Sequence, residues 1–397
     1  MSSAKRRRGG PCQGTTTAGS SYDPPFIPAD LLVEILARSD AKTILRGAAA
    51  TCKPIRRAIL GPDFHGRLAP PRAGVFDPAL LLGFSSFYTC RDNEKIYVQH
   101  QRQLFNFDAD ELSLYEPMVT RGCLAVLHRR GHPSAEVRVV NCLTGHVTRV
   151  DTPGTETAAL YPRTLLAVGD GGRSFQLLVA GKNLATRIFS SEHGDWGDRV
   201  QTRLDPPAPK FLRTLPNRLS PPCVIGDTVH WLCKEKGIVA LDVSAARATV
   251  IALPPKCFSQ VECPKGVDKG LLAPSADGRL SLLVAEPSVI SMWTLSASAV
   301  TVRVSWSRQV VIHRQAIGGE GPGHAVRFMG FGERSGTVML QMEQVGLVQI
   351  DMGSREAQLL ETLKEMGHTR NKRLQLCLHE TDLPTLIKSM TKDMKSF

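Results

Sequence analysis

Aromatic side chains are scarce in this chain: Phe, Trp and Tyr fill 6% of its 397 positions. A core must therefore be built from Leu, Val, Ile and Ala, which dominate an apolar fraction of 42%. No stretch approaches the ~18 consecutive apolar residues that span a bilayer, so no transmembrane helix is expected and no membrane partner. Residues 1–21 have no apolar run of the kind a secretory leader carries. The ten cysteines include no C-x-x-C pair, and Cys223/Cys233 and Cys257/Cys263 are spaced unlike a zinc knuckle. Reduced, buried thiols in the nucleus or cytoplasm are the expectation. Chemical signatures are missing too. Gly318–Gly323 is glycine-rich but no Gly-Lys-Ser/Thr follows, and Gly181-Lys182 precedes Asn183. There is no G-x-S-x-G elbow and no H-E-x-x-H. His128 and His132 stand four apart, but Gly131 and Pro133 deny them a helix. No catalytic, cofactor-binding or metal-ligating residue is assigned.

Positive charge is in excess, at a formal +12, yet the only run is Lys5–Arg8. Scattered Lys and Arg read as solvated faces, so nucleic acid is not the expected partner. The run itself fits a nuclear import signal within a polar tail over residues 1–24, which is expected to be disordered.

Beyond residue 71 the pattern becomes short alternating runs. Pro222 to Leu253 is the clearest unit. Strands Cys223–Ile225, Thr228–Cys233, Ile238–Val243 and Ala248–Leu253 are separated by turns at Gly226-Asp227, Lys234–Gly237 and Ser244–Arg247. Four antiparallel strands in about 32 residues is the size of one propeller blade. Similar units occupy Gly122–Val150, Leu165–Ser190, Lys269–Trp306 and Ala325–Glu361, and a weaker one Leu80–Leu114. Five to six blades are predicted over residues 71–380, with two stacked β-sandwiches as the competing architecture. Arg373–His379 reads as a strand that completes a blade begun elsewhere. Over 381–397, Asp382 caps a helix whose Leu383, Leu386, Ile387, Met390 and Met394 share one face.

Residues 26–68 differ from all of this. Pro28 suits a first helical position, and Leu31, Leu32, Ile35 and Leu36 make one apolar stripe. Ile44, Leu45, Ala48, Ala49 and Cys52 repeat the spacing. Pro54 then starts a third segment, with Ile55, Ala58 and Ile59 inward. A 40-residue helical unit has too little core to hide all its apolar faces, which points to a partner.

The order of these residues resembles an F-box, through Pro28, Leu31, Leu32, Glu34, Ile35, Leu36, Leu45, Arg46, Cys52, Lys53 and Arg56. Ile27 replaces the usual Leu, and Ile55 the usual Trp. Asn141–Gly145 is similar to the Asn-Pro-Leu-Thr-Gly turn of plant F-box-associated β domains, with Cys142 for Pro. Val224–Leu232 followed by Ile238–Asp242, and Asp277–Ser281 followed by Trp293, look like their recurring blades. The resemblance implies an α+β multidomain protein: a three-helix F-box over 25–70, an antiparallel β domain and a short C-terminal helix. It implies docking on a Skp-family adaptor through Ile27, Pro28, Leu31, Leu32, Ile35 and Leu36, with Leu45, Ile55 and Ile59 shared between core and interface. The function that follows is client recognition within an SCF-type cullin–RING ubiquitin ligase, without intrinsic catalysis. The client is unknown; the loops near Gly131, Gly171, His193–Trp196 and Gly318–Gly323 are candidate contacts. A propeller enzyme or sugar-binding protein, and an adaptor-binding protein outside a ligase, are the alternatives.

Overall fold

Strands buried on both faces read as continuous apolar runs, and strands with one wet face alternate. Both patterns recur here. Every residue of Leu280–Ala285 is buried, whereas Arg247–Ile251 alternates exposed and buried at its start. The computed structural model describes residues 28–37, 53–59, 61, 64, 74–90, 96–101, 115–129, 137–142, 145–151, 163–169, 172–181, 184–204, 221–233, 237–258, 270–297, 304–318, 325–362 and 372–380.

Two short helices come first, α1 (Ala29–Ala37) and α2 (Lys53–Ile59). Strands β1 (Leu81–Cys90) and β2 (Ile96–Gln101) pair antiparallel. Five propeller-like blades follow. The first is β3 (Tyr115–Arg121), β4 (Leu124–Arg129), β5 (Val137–Asn141) and β6 (Val147–Val150). The second is β7 (Arg163–Gly169), β8 (Ser174–Ala180), β9 (Thr186–Ser190) and β10 (Asp195–Trp196). The third holds β11 (Arg203–Leu204), β12 (Cys223–Ile225), β13 (Thr228–Leu232), β14 (Ile238–Asp242) and β15 (Arg247–Ile251), with β11 parallel to β15. The fourth is β16 (Gly270–Pro274), β17 (Leu280–Ala285), β18 (Val289–Ala297) and β19 (Val304–His313). The fifth is β20 (Val326–Phe331), β21 (Thr337–Met342), β22 (Gly346–Asp351) and β23 (Ala357–Thr362). Last comes β24 (Lys372–Glu380), which returns to pair with β1 from Leu81↔Glu380 to Cys90↔Lys372.

Strands β3, β7, β12, β16 and β20 face the centre. β24 touches β3 and β20, β3 touches β7, and β16 touches β12 and β20. Between the second and third blades the contact is a core of Leu178, Leu184, Val224, Val229 and Trp231. Other cores fill the remaining gaps, such as Leu283, Ile290, Phe328, Leu340 and Ile350 between the fourth and fifth blades. A glycine of positive φ lies between β3 and β4, β7 and β8, β12 and β13, β16 and β17, and β20 and β21: Gly122, Gly172, Gly226, Gly278 and Gly336. Gly172, Gly226, Gly278 and Gly336 fall in turns that marked units in the sequence, because a left-handed turn position favours glycine.

The expected α+β class is corrected. The described molecule is nearly all β, with two short α-helices and a five-blade propeller-like arrangement, and no N-terminal three-helix F-box is seen. An apolar stripe dictates that a segment is helical, but not how many helices pack or how. The stretch expected to be the middle helix lies outside the described residues, as do the tail 1–24 and the C-terminal helix 381–397. The two helices present have nine and seven residues, lengths at which a helix depends on packing rather than propensity.

Candidate functional site

The expected docking residues fall into two groups. Asp30 sits in the first turn of α1, where the helix dipole favours it. Leu31 and Ile35, one turn apart, are 54% and 48% exposed. Pro28 is exposed at the start of the same helix. Leu36 and Ile59 are buried, and Ile55 is half-buried. The helices pack on each other, so Leu36 and Ile59 serve the interior of this pair. Leu32 lies in α1 but its side chain is outside the described residues, and so are Ile27 and Leu45. Half-exposure of a Leu or Ile forfeits about 1 kcal/mol of burial.

The candidate client loops are partly visible. At His193–Trp196 the chain is tied down: Ser190 Oγ meets His193 Nδ1 at 2.9 Å, and Trp196 donates its indole N–H to the Asp151 carbonyl at 2.6 Å. The Trp196 ring also packs on Phe189, 5.6 Å between centroids. Gly318 ends a 3-10 turn in a left-handed conformation. Residues 319–323, Gly131, Gly171 and His132 are outside the described set. His128 faces inward, and burial, then the nearby Arg163 charge, pushes it down to about 4.

A second cluster, at the centre of the ring, was missed in the sequence. Arg121, at the end of β3, reaches across to two other blades. Its Nε donates to Glu333 Oε2 at 3.0 Å, and its Nη1 donates to the carbonyls of Leu165 and Leu166. Those carbonyls are presented by a bulge in β7 between Leu165 and Ala167. Matching bulges interrupt β3 between Pro117 and Val119, and β20 between Phe328 and Gly330. A bulge re-aims backbone groups that a regular ladder would consume. Glu333 keeps 29% of its side-chain surface open, yet desolvation is the largest influence on its carboxyl and raises it above the usual range. On β12 of the third blade, the buried Cys223 thiol is pushed up, mainly by desolvation and then by Glu333, with Arg121 opposing.

The arrangement joins the first, second and fifth blades. Cys123, Cys142, Cys223, Cys233, Cys257 and Cys377 are buried, and burial raises Cys142, Cys223, Cys257 and Cys377. Among the described residues no group of three or more His, Cys, Asp or Glu is placed to hold a metal ion. No single residue type flagged the cluster; the signal was distributed over turn residues from distant blades.

The ring of blades defines a β-propeller-like protein, an architecture consistent with binding other proteins. Residues 84–393, well over half of the chain, match the family described as a domain of unknown function, DUF7595, and the chain belongs to that family. No curated protein matches it in sequence. Several solved structures are distantly similar. A puromycin-hydrolyzing peptidase from Mycobacterium tuberculosis is 12% identical over 62% of this chain and 38% of that one, with a TM-score of 0.32. A member of the DUF4221 family from Bacteroides vulgatus is 8% identical over 76% and 98%, TM-score 0.39. A nidogen/laminin complex is 7% identical over 75% and 100%, TM-score 0.38. At these values nothing of those proteins' activities transfers here, and none of the comparisons carries an F-box or a plant origin.

Proposed function

We propose that this protein is a client-recognition subunit of an SCF-type ubiquitin ligase. It docks on a Skp-family adaptor through the open face of α1 and holds a client protein on the β blades. The observation that carries the reading is the exposed pair Leu31 and Ile35 on one helical face, within a stretch whose residue order is F-box-like. The contact is made by the short helices themselves and needs no three-helix unit. The chain contributes no acid or base: it acts by holding the client near a ubiquitin-charged enzyme.

A double substitution, Leu31→Asp with Ile35→Asp, tests this. Two charges placed in an apolar contact should weaken adaptor binding more than 100-fold, at roughly 2 kcal/mol or more each. The far-ultraviolet spectrum of the β body should be unchanged. Failure of the unsubstituted chain to bind the adaptor, or equal binding by the variant, overturns the proposal.

A further inference from the structure

Both ends of the β region arrive at one turn, Gly332–Gly336, between β20 and β21. From the N-terminal side, the Phe76 ring stands edge-on to Phe331, 5.8 Å between centroids. It also lies over Gly336, where an added Cβ would come within 2.3 Å of the ring. The Asp77 N–H donates to the Arg334 carbonyl at 3.0 Å. From the C-terminal side, the buried Glu380 carboxylate accepts the N–H of Ser335 at 2.8 Å and of Arg334 at 3.2 Å. Gly332 leaves that carboxylate its space, since a Cβ there would come within 2.3 Å of Glu380 Oε1. Glu380 also donates its own N–H to the Gly122 carbonyl at 2.9 Å, which fastens β24 to the first blade.

The Arg334 residue is therefore held on both sides, its carbonyl by the incoming segment and its N–H by the closing strand. Its neighbour Glu333 carries the ion pair to Arg121. Hydrogen bonds to a buried carboxylate are stronger than neutral ones, and a turn gripped at consecutive peptides has one preferred geometry. We infer that this turn couples the seating of residues 74–80 to the closure of the ring by β24. Coupling of this kind is reciprocal: loosening either contact loosens the other.

Hydrogen exchange read by mass spectrometry on the full chain tests it with two variants. Phe76→Ala removes the ring without straining the turn. It should speed exchange at least tenfold in residues 333–337 and 372–380, and leave β7 to β9 unchanged. Glu380→Gln keeps the shape and removes the charge. It should speed exchange in residues 74–80 and in the turn. Faster exchange confined to the neighbours of the substituted residue, or spread evenly over every blade, overturns the coupling.

Discussion

At the scale of single residues, burial decides which polar groups are inert. His128 is held low in a setting where Nε2 has no hydrogen-bond partner among the described residues. Arg163 beside it is buried, lies at about 10 through desolvation, and has Nη1 2.7 Å from Met118 Sδ. The folded state thus favours a neutral imidazole, while the unfolded chain takes up a proton near 6.5. Stability from this group is complete above that value and is lost as pH falls toward about 4. His128→Asn should flatten that part of the profile, so its urea midpoint falls less than the parent's between about pH 6.5 and 4. Parallel losses in the two proteins would show that acid sensitivity lies elsewhere. The sequence displayed His128 only as half of an i, i+4 pair with His132. Its role in the interior depends on Arg163, which is far away along the chain.

At the scale of elements, the turns do more than reverse the chain. Gly172 sits in the β7–β8 turn with φ +86. A Cβ there would lie 2.7 Å from both Asn141 Nδ2 and Cys123 Sγ, and 2.9 Å from Leu124 Cδ2. These atoms belong to the first blade, so the second blade's turn is seated on its neighbour. Gly172→Ala should cost about 2 kcal/mol or more through overpacking and a left-handed backbone. A denaturant midpoint within error of the parent would contradict this seating. The strands and hairpins of the third blade were legible because their period is local: Thr228–Leu232 and Ile238–Asp242 lie where alternation and glycine turns put them. The parallel strand Arg203–Leu204 was not legible. Two residues carry no period, and only the partner Arg247–Ala248 makes them a strand.

At the scale of the whole molecule, closure is the event that makes a ring from a row of sheets. β24 gives Leu378 to a core shared with Phe84, Met329, Met339 and Leu347, and its edge satisfies β1. Without it, β1 loses a paired strand and exposes an edge, and β20 loses a packing neighbour. A chain lacking residues 372–397 should therefore be cut by protease within 81–101, where the full chain resists, and should lose a single cooperative unfolding step. Equal resistance in both would show that the ring holds without its last strand. Arg373–His379 was readable as a strand in need of a blade, but nothing in it named β1 as the partner.

Local pattern alone determined that residues beyond 71 form repeated four-strand units, where most of their hairpin turns fall, and that α1 has an apolar stripe. Each of these depends on neighbours within a few positions, and backbone geometry translates such spacing directly into shape. Tertiary structure alone decided that Leu31 and Ile35 stay open while Leu36 turns inward. It also placed Arg121 and Glu333 together at the centre, and brought Phe76 and Glu380 to the same turn. Those outcomes come from side chains packed across blades, where distance along the chain carries no information and only the closed ring sets who meets whom.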